Sequence, residues 1–375
     1  MAMRVMRTPR SVDLSITNRC NLKCRYCSHF TSAGSMSKDL PKEEWLRFFE
    51  ELNRCAVTNV TIEGGEAFCR EDLKELVEGI VRNRMRFNIL SNGTLITDDM
   101  AAFLASTGRC DGVQVSIDGS IPITHDSFRG KGNFVRAIAG IKTLQKYHLP
   151  VPVRVTIHRR NVRDLEGVAR LLLEEIGLPG FSTNAASYMG LCRQNAEQVQ
   201  LTVEERSLAM ETLLRLNQKY NGRIGAAAGP LAEGKNWLEM EKARREGREL
   251  IPGRGYLVSC GGVFSKMAVR ADGVMVPCLQ MPHIELGRIN RDDLQQVWQN
   301  HPELNKLRER RNIPLSDFDF CRGCEYISYC AGGCPALAYN ITGDEYHPSP
   351  DSCLRVFLEE GGKLPDEELL PQMVS

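Results

Sequence analysis

Residues 11–27 read SVDLSITNRCNLKCRYC, and they join a strand-like run to a loop that carries three cysteines. The first seven residues are rich in strand-forming types and predict a β-strand. Cys20, Cys24 and Cys27 then follow in a C-x3-C-x2-C pattern at the carboxyl end of that strand. A strand that ends in a group of thiols is therefore the first unit of the fold.

Five further strand-like runs follow the first one: VTNVTIE (57–63), RFNILSN (86–92), GVQVSID (112–118), VPVRVTI (151–157) and GFSTNA (180–185). Between them, apolar residues recur at the i, i+3, i+4, i+7 spacing of a helix with one apolar face. These residues are Trp45, Phe48, Phe49 and Leu52, then Leu73, Leu76, Val77 and Ile80, and later Leu165, Val168, Ala169 and Leu172. Thr202 and Glu205 have the spacing of a capping box at the start of a sixth helix.

Six strand–helix units predict an α/β fold in which helices cover a parallel sheet. Six units are too few for a closed eight-stranded barrel, so an open partial (β/α)6 barrel and a doubly wound sheet both remain. In either architecture the reactive groups lie at the carboxyl ends of the strands.

The composition is that of an ordinary globular protein. The 375 residues are 42% apolar and 25% charged, which excludes a mostly disordered chain. Lys and Arg number 48 against 47 Asp and Glu, so charge gives no support for a nucleic-acid or membrane-surface binder. No signal peptide or membrane-spanning run is visible, and we expect a cytoplasmic protein whose 14 cysteines stay reduced.

The chain changes character after about residue 220. Residues 221–256 are rich in glycine and charge, and they predict a helix-containing bridge after a core at 1–220. From 257 to 375 the chain is rich in Cys and Gly, ends in a surface tail, and has little apolar core, so it needs a metal to fold.

The first cysteine group points to an iron–sulfur cluster. Three thiolates do not complete a tetrahedral zinc site, but they can hold three irons of a [4Fe–4S] cube and leave the fourth iron open. The plain alternative is three buried thiols, and the basic neighbours Arg19, Lys23 and Arg25 argue against it.

The segment CNLKCRYC resembles the signature of the radical S-adenosylmethionine (SAM) superfamily, including the aromatic Tyr26 before the third cysteine. The resemblance implies that SAM chelates the open iron through its amino and carboxylate groups. It also implies reductive cleavage of SAM to a 5′-deoxyadenosyl radical that abstracts a substrate hydrogen, with an external electron donor of the flavodoxin or ferredoxin type.

Further positions agree with this family. Gly64, Gly65 and Glu66 end the second strand and resemble its GGE motif, which holds the SAM amino group; Ala67 stands where the family usually has Pro. The resemblance also implies SAM contacts for Tyr26 in the first loop and for polar residues at later strands, namely Ser91, Asn92, Ser116, Asp118 and Arg154. Ordinary turn chemistry explains Asn-Gly and Asp-Gly equally well, and an arginine on a strand is often structural.

The later cysteines resemble a SPASM domain, a C-terminal extension with two auxiliary clusters. Their order is C…GxxxxC…CxxCxxxxxCxxxC…C. The resemblance implies a first auxiliary cluster on Cys260, Cys278 and Cys334, with its fourth position open or filled by another ligand or by substrate. It implies a second on Cys321, Cys324, Cys330 and Cys353, which makes three clusters in all. The alternative is one four-thiolate zinc site on Cys321, Cys324, Cys330 and Cys334.

Four cysteines lie outside these groups. We expect Cys55 and Cys110 to be structural, because free cysteine usually behaves as a small buried hydrophobe. Cys69 and Cys192 are candidates for a hydrogen-atom donor, and no other catalytic residue is assigned.

Most SPASM enzymes modify peptides, so the first hypothesis is a peptide maturase that makes a crosslink or another side-chain modification, with leader recognition by a separate protein. Leu279 replaces the aspartate of formylglycine-forming members and counts against that activity. The second hypothesis is a radical SAM enzyme for a tetrapyrrole or a sugar, and the third a non-catalytic electron carrier or zinc scaffold. The basic stretches at 243–248 and 308–311 are expected to be solvated helix faces rather than contacts to an acidic leader.

Overall fold

A computed structural model of the chain describes residues 5–30 and 38–369. One sheet in the order β10-β9-β8-β1-β2-β3-β4-β5-β6-β7 organises the fold. Its ten strands are β1 (Ser11–Thr17), β2 (Asn59–Gly64), β3 (Arg86–Ser91), β4 (Cys110–Ser116), β5 (Val153–Ile157), β6 (Phe181–Ala185), β7 (Ile224–Ala226), β8 (Lys266–Val269), β9 (Val274–Val276) and β10 (Gly287–Arg288). The pairs from β8-β1 to β6-β7 are all parallel, whereas β9 pairs antiparallel with both β8 and β10.

Helices follow the strands in the predicted alternation. The described residues form α1 (Lys42–Arg54), α2 (Leu73–Arg82), α3 (Asp98–Ser106), α4 (Pro122–Arg129), α5 (Asn133–Lys146), α6 (Leu165–Arg170), α7 (Gly190–Gln194), α8 (Ala196–Val199), α9 (Val203–Lys219), α10 (Pro230–Arg245), α11 (Gly262–Ser265), α12 (Leu294–Asn300), α13 (Pro302–Glu309), α14 (Pro335–Thr342) and α15 (Leu354–Glu359). The apolar faces predicted on α1, α2 and α6 are buried. The capping box of α9 forms between Thr202 and Glu205.

The strand order decides between the two predicted architectures. Strands β1 to β6 lie side by side in chain order, so every crossover moves in the same direction. A doubly wound sheet reverses direction at a switch point, whereas a barrel does not. The fold is therefore the partial barrel of six βα units, and it is open because β7 has β6 as its one partner strand in the described sheet.

The sheet is longer than the six predicted strands. β7 adds a parallel strand after β6, and β8 pairs with β1 from Ser11↔Lys266 to Leu14↔Val269. These strands are three and four residues long, too short to show an apolar period. The bridge predicted at 221–256 does contain a helix, α10, but this region also contributes β7 to the sheet.

Helix α10 connects the barrel to the C-terminal part through a buried aromatic cluster. Trp237 on α10 is 4.8 Å from Phe357 on α15, measured between ring centroids. The Arg206 guanidinium lies 4.9 Å from the Trp237 ring and pairs with Glu233 at 2.8 Å. Leu364 of the predicted C-terminal tail packs against this cluster, and residues 370–375 lie outside the described part of the chain. Among the described helices, none is long and apolar enough to cross a membrane.

The two basic stretches differ from each other. Around half of the Arg245 and Arg248 side chains is exposed, as predicted for a solvated face. The prediction is wrong for Arg308 and Arg310, which are fully buried. Backbone carbonyls accept hydrogen bonds from both guanidinium groups, and a charge pattern in sequence does not reveal such partners.

Replacing Phe49 by alanine tests the core under α1, because its side chain is fully buried beside Trp45. We expect the free energy of unfolding to fall by about 3–5 kcal/mol, the usual cost of a Phe→Ala cavity. Denaturant titration of the variant measures it. Val135→Ala, at a 64% exposed position, should change stability by less than about 0.5 kcal/mol.

Candidate active site

The three cysteines of the first loop lie partly buried at the carboxyl end of β1. Their thiols interact electrostatically, and burial raises the pKa of Cys20 to about 12 and that of Cys24 to about 11. The loop by itself therefore holds neutral thiols, and thiolates need the charge of a metal. Among the described residues, no three His, Cys, Asp or Glu side chains are placed to hold one metal ion. A [4Fe–4S] cluster fits a different geometry, because each thiolate binds a separate iron.

The glycine pair after β2 packs against this loop through bare backbone. The Gly65 amide donates to the Thr17 carbonyl and the Glu66 amide to the Arg19 carbonyl, both at 2.8 Å. A Cβ atom on Gly65 would lie 2.4 Å from the Arg19 carbonyl oxygen and 3.1 Å from Cys20 Cβ. Only glycine permits this approach, so Gly65 fixes where the first cysteine stands.

Glu66, Ser91 and Asn92 form one buried network, as their shared edge of the sheet predicts. The Glu66 carboxylate accepts a hydrogen bond from Ser91 Oγ at 2.9 Å and another from the backbone amide of Asn92 at 2.7 Å. Burial raises the pKa of Glu66, although these hydrogen bonds oppose the shift. The Asn92 side chain donates to Asn21 Oδ1 at 2.9 Å, which connects the network to the cysteine loop.

Asp118, which was predicted to contact SAM, is bonded instead to groups of the protein itself. It is fully buried, and its carboxylate accepts from Tyr26, Arg129 and the Thr156 amide. Burial alone would raise the pKa of Asp118, but the Arg129 guanidinium holds it below its usual range. The arrangement favours a structural role, in which Asp118 fixes the phenol of Tyr26.

Arg129 is a residue of this site that the sequence pattern did not reveal. This side chain ends α4, pairs with Asp118 and lies 5.5 Å from the centroid of the Tyr26 ring. It also interacts electrostatically with Cys24 and Cys27, so a buried positive charge stands beside the loop. The sequence signal was weak, because a charged residue at a helix end normally indicates a solvated terminus.

Ser116 and Arg154 face each other across β4 and β5, where they are register partners. The buried Nε of Arg154 has no hydrogen-bond partner among the described residues, and burial lowers its pKa. A buried donor without a protein partner is normally satisfied by a water, an ion or a ligand. The guanidinium therefore fits an anionic group such as the carboxylate predicted there.

The later cysteines form two groups, and these groups interleave along the chain. The Cys278 thiol interacts electrostatically with Cys260 and Cys334. Cys321 interacts instead with Cys324, Cys330 and Cys353, and these four line one small cavity. Cys334 belongs to the first group, which disfavours the zinc site that would have combined it with Cys321, Cys324 and Cys330.

Two family models match the chain. The model of the radical SAM superfamily matches residues 14–172, which contain the cysteine loop and the glycine pair. The SPASM model, an iron–sulfur cluster-binding domain, matches residues 260–325. The chain belongs to the radical SAM superfamily. It is thus a radical SAM enzyme with a C-terminal SPASM domain, and both matches imply iron–sulfur clusters and SAM as cofactors.

The relatives of this radical SAM enzyme carry names that refer to different substrates. An AdoMet-dependent heme synthase from Methanosarcina barkeri is 26% identical over 349 residues, covering 91% of this chain and 95% of the relative. A PqqA peptide cyclase from Ruegeria pomeroyi is 24% identical over 346 residues, covering 91% and 86%. Crystal structures of SuiB from Streptococcus suis, bound to SAM and to precursor peptide SuiA, share the fold with TM-scores of 0.69 and 0.68 at 17% and 15% identity. Both superpositions cover 93% of this chain, and 78% and 77% of SuiB respectively.

The remaining cysteines differ in exposure. Cys192 is fully buried among Tyr26, Phe128 and other apolar side chains, which suits a packing role better than hydrogen-atom donation. Cys69 is partly exposed next to Glu66 and stays a prediction as a donor. Cys55 and Cys110 are partly buried against the main core, in line with a structural role.

Asp13, Glu63 and Lys266 form a charged group where the radical SAM barrel meets the SPASM strands. The Lys266 ammonium is 3.1 Å from Asp13 Oδ1, on the neighbouring strand. Burial and the adjacent Asp13 raise the pKa of Glu63 to about 8, although Lys266 opposes the shift. These residues give no signal in the sequence, because one carboxylate or lysine per strand is ordinary by itself.

Substituting alanine for Gly65 should disrupt the catalytic loop, since the new methyl group collides with Arg19 and Cys20. We expect about four irons fewer per chain after anaerobic reconstitution, together with loss of SAM binding. Iron analysis and equilibrium binding measure these effects. Gly225→Ala is the matched control, because its nearest contact would be at 3.9 Å; equal iron in both variants would contradict the prediction.

Glu63→Gln tests the raised pKa through the pH dependence of stability. Below about pH 4.5 folded and unfolded chains both hold the proton, so wild type suffers no penalty. As pH rises to about 8, the unfolded chain ionises first and wild-type stability falls relative to the variant. Melting temperatures of the anaerobic proteins between about pH 5 and 9 should show this divergence. A constant difference across that range would refute it.

Proposed function

We propose that this radical SAM enzyme modifies a ribosomally made peptide. It would reductively cleave SAM to a 5′-deoxyadenosyl radical and abstract a hydrogen atom from the peptide. The product would carry a thioether or carbon–carbon crosslink or another side-chain modification. The bound cluster and SAM supply the electron and the radical, while the residues of the chain bind, orient and shield the reacting groups.

We propose the following cofactor assignment, which the geometry of the site supports. Cys20, Cys24 and Cys27 would hold the catalytic cluster. The SAM amino group would lie beside Gly64–Glu66, and the SAM carboxylate beside Arg154, whose Nε lacks a partner in the described chain. The interleaved groups would hold two auxiliary clusters. The first would have three thiolate ligands, Cys260, Cys278 and Cys334, and the second would have four, Cys321, Cys324, Cys330 and Cys353. The total of three clusters belongs to this proposal.

One structural observation supports a peptide substrate above the others. Within the described residues, buried polar atoms of the barrel strands without hydrogen-bond partners include Ser15 Oγ and Asn184 Oδ1, besides the Arg154 Nε that is assigned to SAM. Each belongs to the face of its strand that alternates with residues buried against the helices. A polar interior of this kind suits a peptide, whose backbone carries a donor and an acceptor at nearly every residue, better than a macrocycle whose polar side groups lie at its rim. The peptide named in the PqqA cyclase relative and the peptide-bound SuiB structure agree with this choice.

The proposal includes partners and domain limits. We propose a radical SAM core at 1–220, a bridge at 221–256 and a SPASM domain at 257–375. A precursor peptide, a separate leader-recognition protein and an electron donor of the flavodoxin or ferredoxin type would complete the system in the cytoplasm.

A tetrapyrrole is the second candidate substrate. The heme synthase relative matches nearly the whole chain, and Lys266, whose side chain is 43% exposed beside β1, is a cation that could bind a carboxylate of such a molecule. A non-catalytic carrier or zinc scaffold ranks third, because an interior with unpartnered polar groups has no purpose in it.

Anaerobic incubation with SAM and a strong reductant tests the chemistry. We expect release of 5′-deoxyadenosine from the wild type and from Cys110→Ala, and background levels from Cys24→Ala. Adding short precursor peptides encoded near the gene should yield a product that is lighter by two hydrogens if a crosslink forms, and mass spectrometry detects this change.

The outcomes separate the three candidates. A mass change in an iron porphyrin and none in any peptide would favour the tetrapyrrole. A wild type that releases no 5′-deoxyadenosine would favour the carrier.

A further inference from the structure

The turn that follows α13 packs beneath the loop that carries Cys260. The hydroxyl of Ser259 donates to the Arg308 carbonyl at 2.9 Å and accepts from the Arg311 amide at 2.9 Å. The Arg308 guanidinium donates to the Val263 carbonyl at 2.9 Å, on the other side of Cys260. The turn therefore fixes this loop from both flanks of the cysteine.

Arg310 connects the same turn to a second cysteine loop. Its fully buried guanidinium donates to the Val258 carbonyl, two residues before Cys260. It also donates to the Gly333 carbonyl at 3.4 Å, one residue before Cys334. Two more carbonyls accept from it, those of Glu345 at 2.8 Å and His347 at 3.1 Å. A single side chain thus joins the two loops that bring Cys260 and Cys334 together.

The charge of Arg310 lacks a close counter-ion. Within the described part of the chain the hydrogen bonds of this guanidinium go to backbone carbonyls and it forms no ion pair, although Asp344 acts on it from further away. The thiols of Cys334 and Cys260 are among the groups that interact with it electrostatically. A buried charge that only neutral carbonyls solvate is costly, and an anionic neighbour relieves that cost.

We propose that Arg310 is the electrostatic partner of the first auxiliary cluster, acting as a positioning residue that also raises the cluster's reduction potential. Three thiolates make this cluster anionic, and reduction adds another negative charge. A fixed cation beside the thiolates stabilises the reduced form more than the oxidised form, so the potential rises. The inference rests on a cluster at Cys260, Cys278 and Cys334, and it holds whatever the substrate is.

Redox titration of the reconstituted holoenzyme, followed by electron paramagnetic resonance, tests this role. The variant Cys278→Ala identifies which signal belongs to the first auxiliary cluster. Arg310→Gln should shift the reduction equilibrium of that cluster at least tenfold toward the oxidised form. For a one-electron couple, this means a reduction potential lower by about 59 mV. The other two signals should stay in place. Arg310→Lys keeps the charge and should retain the wild-type potential.

Lys306→Gln is the matched control, because it removes a positive charge from α13 at a side chain that is 59% exposed. It should leave all three potentials unchanged. An unchanged potential in Arg310→Gln, or an equal shift of all three signals, would overturn the proposal. If Arg310→Gln fails to hold the cluster, Arg310→Lys provides the test. A cluster that this variant retains with the wild-type potential supports the role of the charge, whereas loss of the cluster from both variants refutes it. If Cys278→Ala removes neither signal nor iron, the inference fails, while the catalytic assignment of the first loop stands.

Discussion

Two backbone hydrogen bonds, from Gly65 to Thr17 and from Glu66 to Arg19, hold the first cysteine loop in place. They require that the chain after β2 approach the chain after β1 without a side chain between them, and glycine alone allows this. Once the contact forms, Glu66 is directed into the pair Ser91 and Asn92, and Asn92 reaches back to Asn21 in the loop. Loop, glycine pair and third strand are therefore one unit, and a change in any member moves the thiols.

The sheet also couples the two parts of the enzyme. β1 carries the catalytic loop at its carboxyl end and pairs with β2 on one side and β8 on the other. β8 directly follows α11, which begins two residues after Cys260. The same strand thus connects the proposed catalytic and auxiliary sites through backbone hydrogen bonds, and the charged group of Asp13, Glu63 and Lys266 lies at that junction.

Much of the fold could be predicted from sequence, because the first six strands and their helices obey strong periods. β1 was predicted to the residue, and α9 began at its predicted capping box. The short strands β7 and β10 lack a period because three and two residues cannot display one. The cysteine groups were predicted by family resemblance, and in the structure thiols within each group interact electrostatically. Arg129, Arg308 and Arg310 could not be predicted, because their partners are a buried carboxylate and backbone carbonyls that only the folded chain brings near.

The pairing of β1 with β8 has a consequence for how this protein can be divided. A fragment that stopped before Lys266 would leave one side of β1 with bare amide and carbonyl groups in the middle of the molecule. Unpaired strand edges recruit strands from other molecules, so such a fragment should aggregate even though it contains every residue of the six-unit barrel. The cysteine-rich region thus covers an edge of the core sheet in addition to binding metal. The core and this region are best regarded as a single unit of folding.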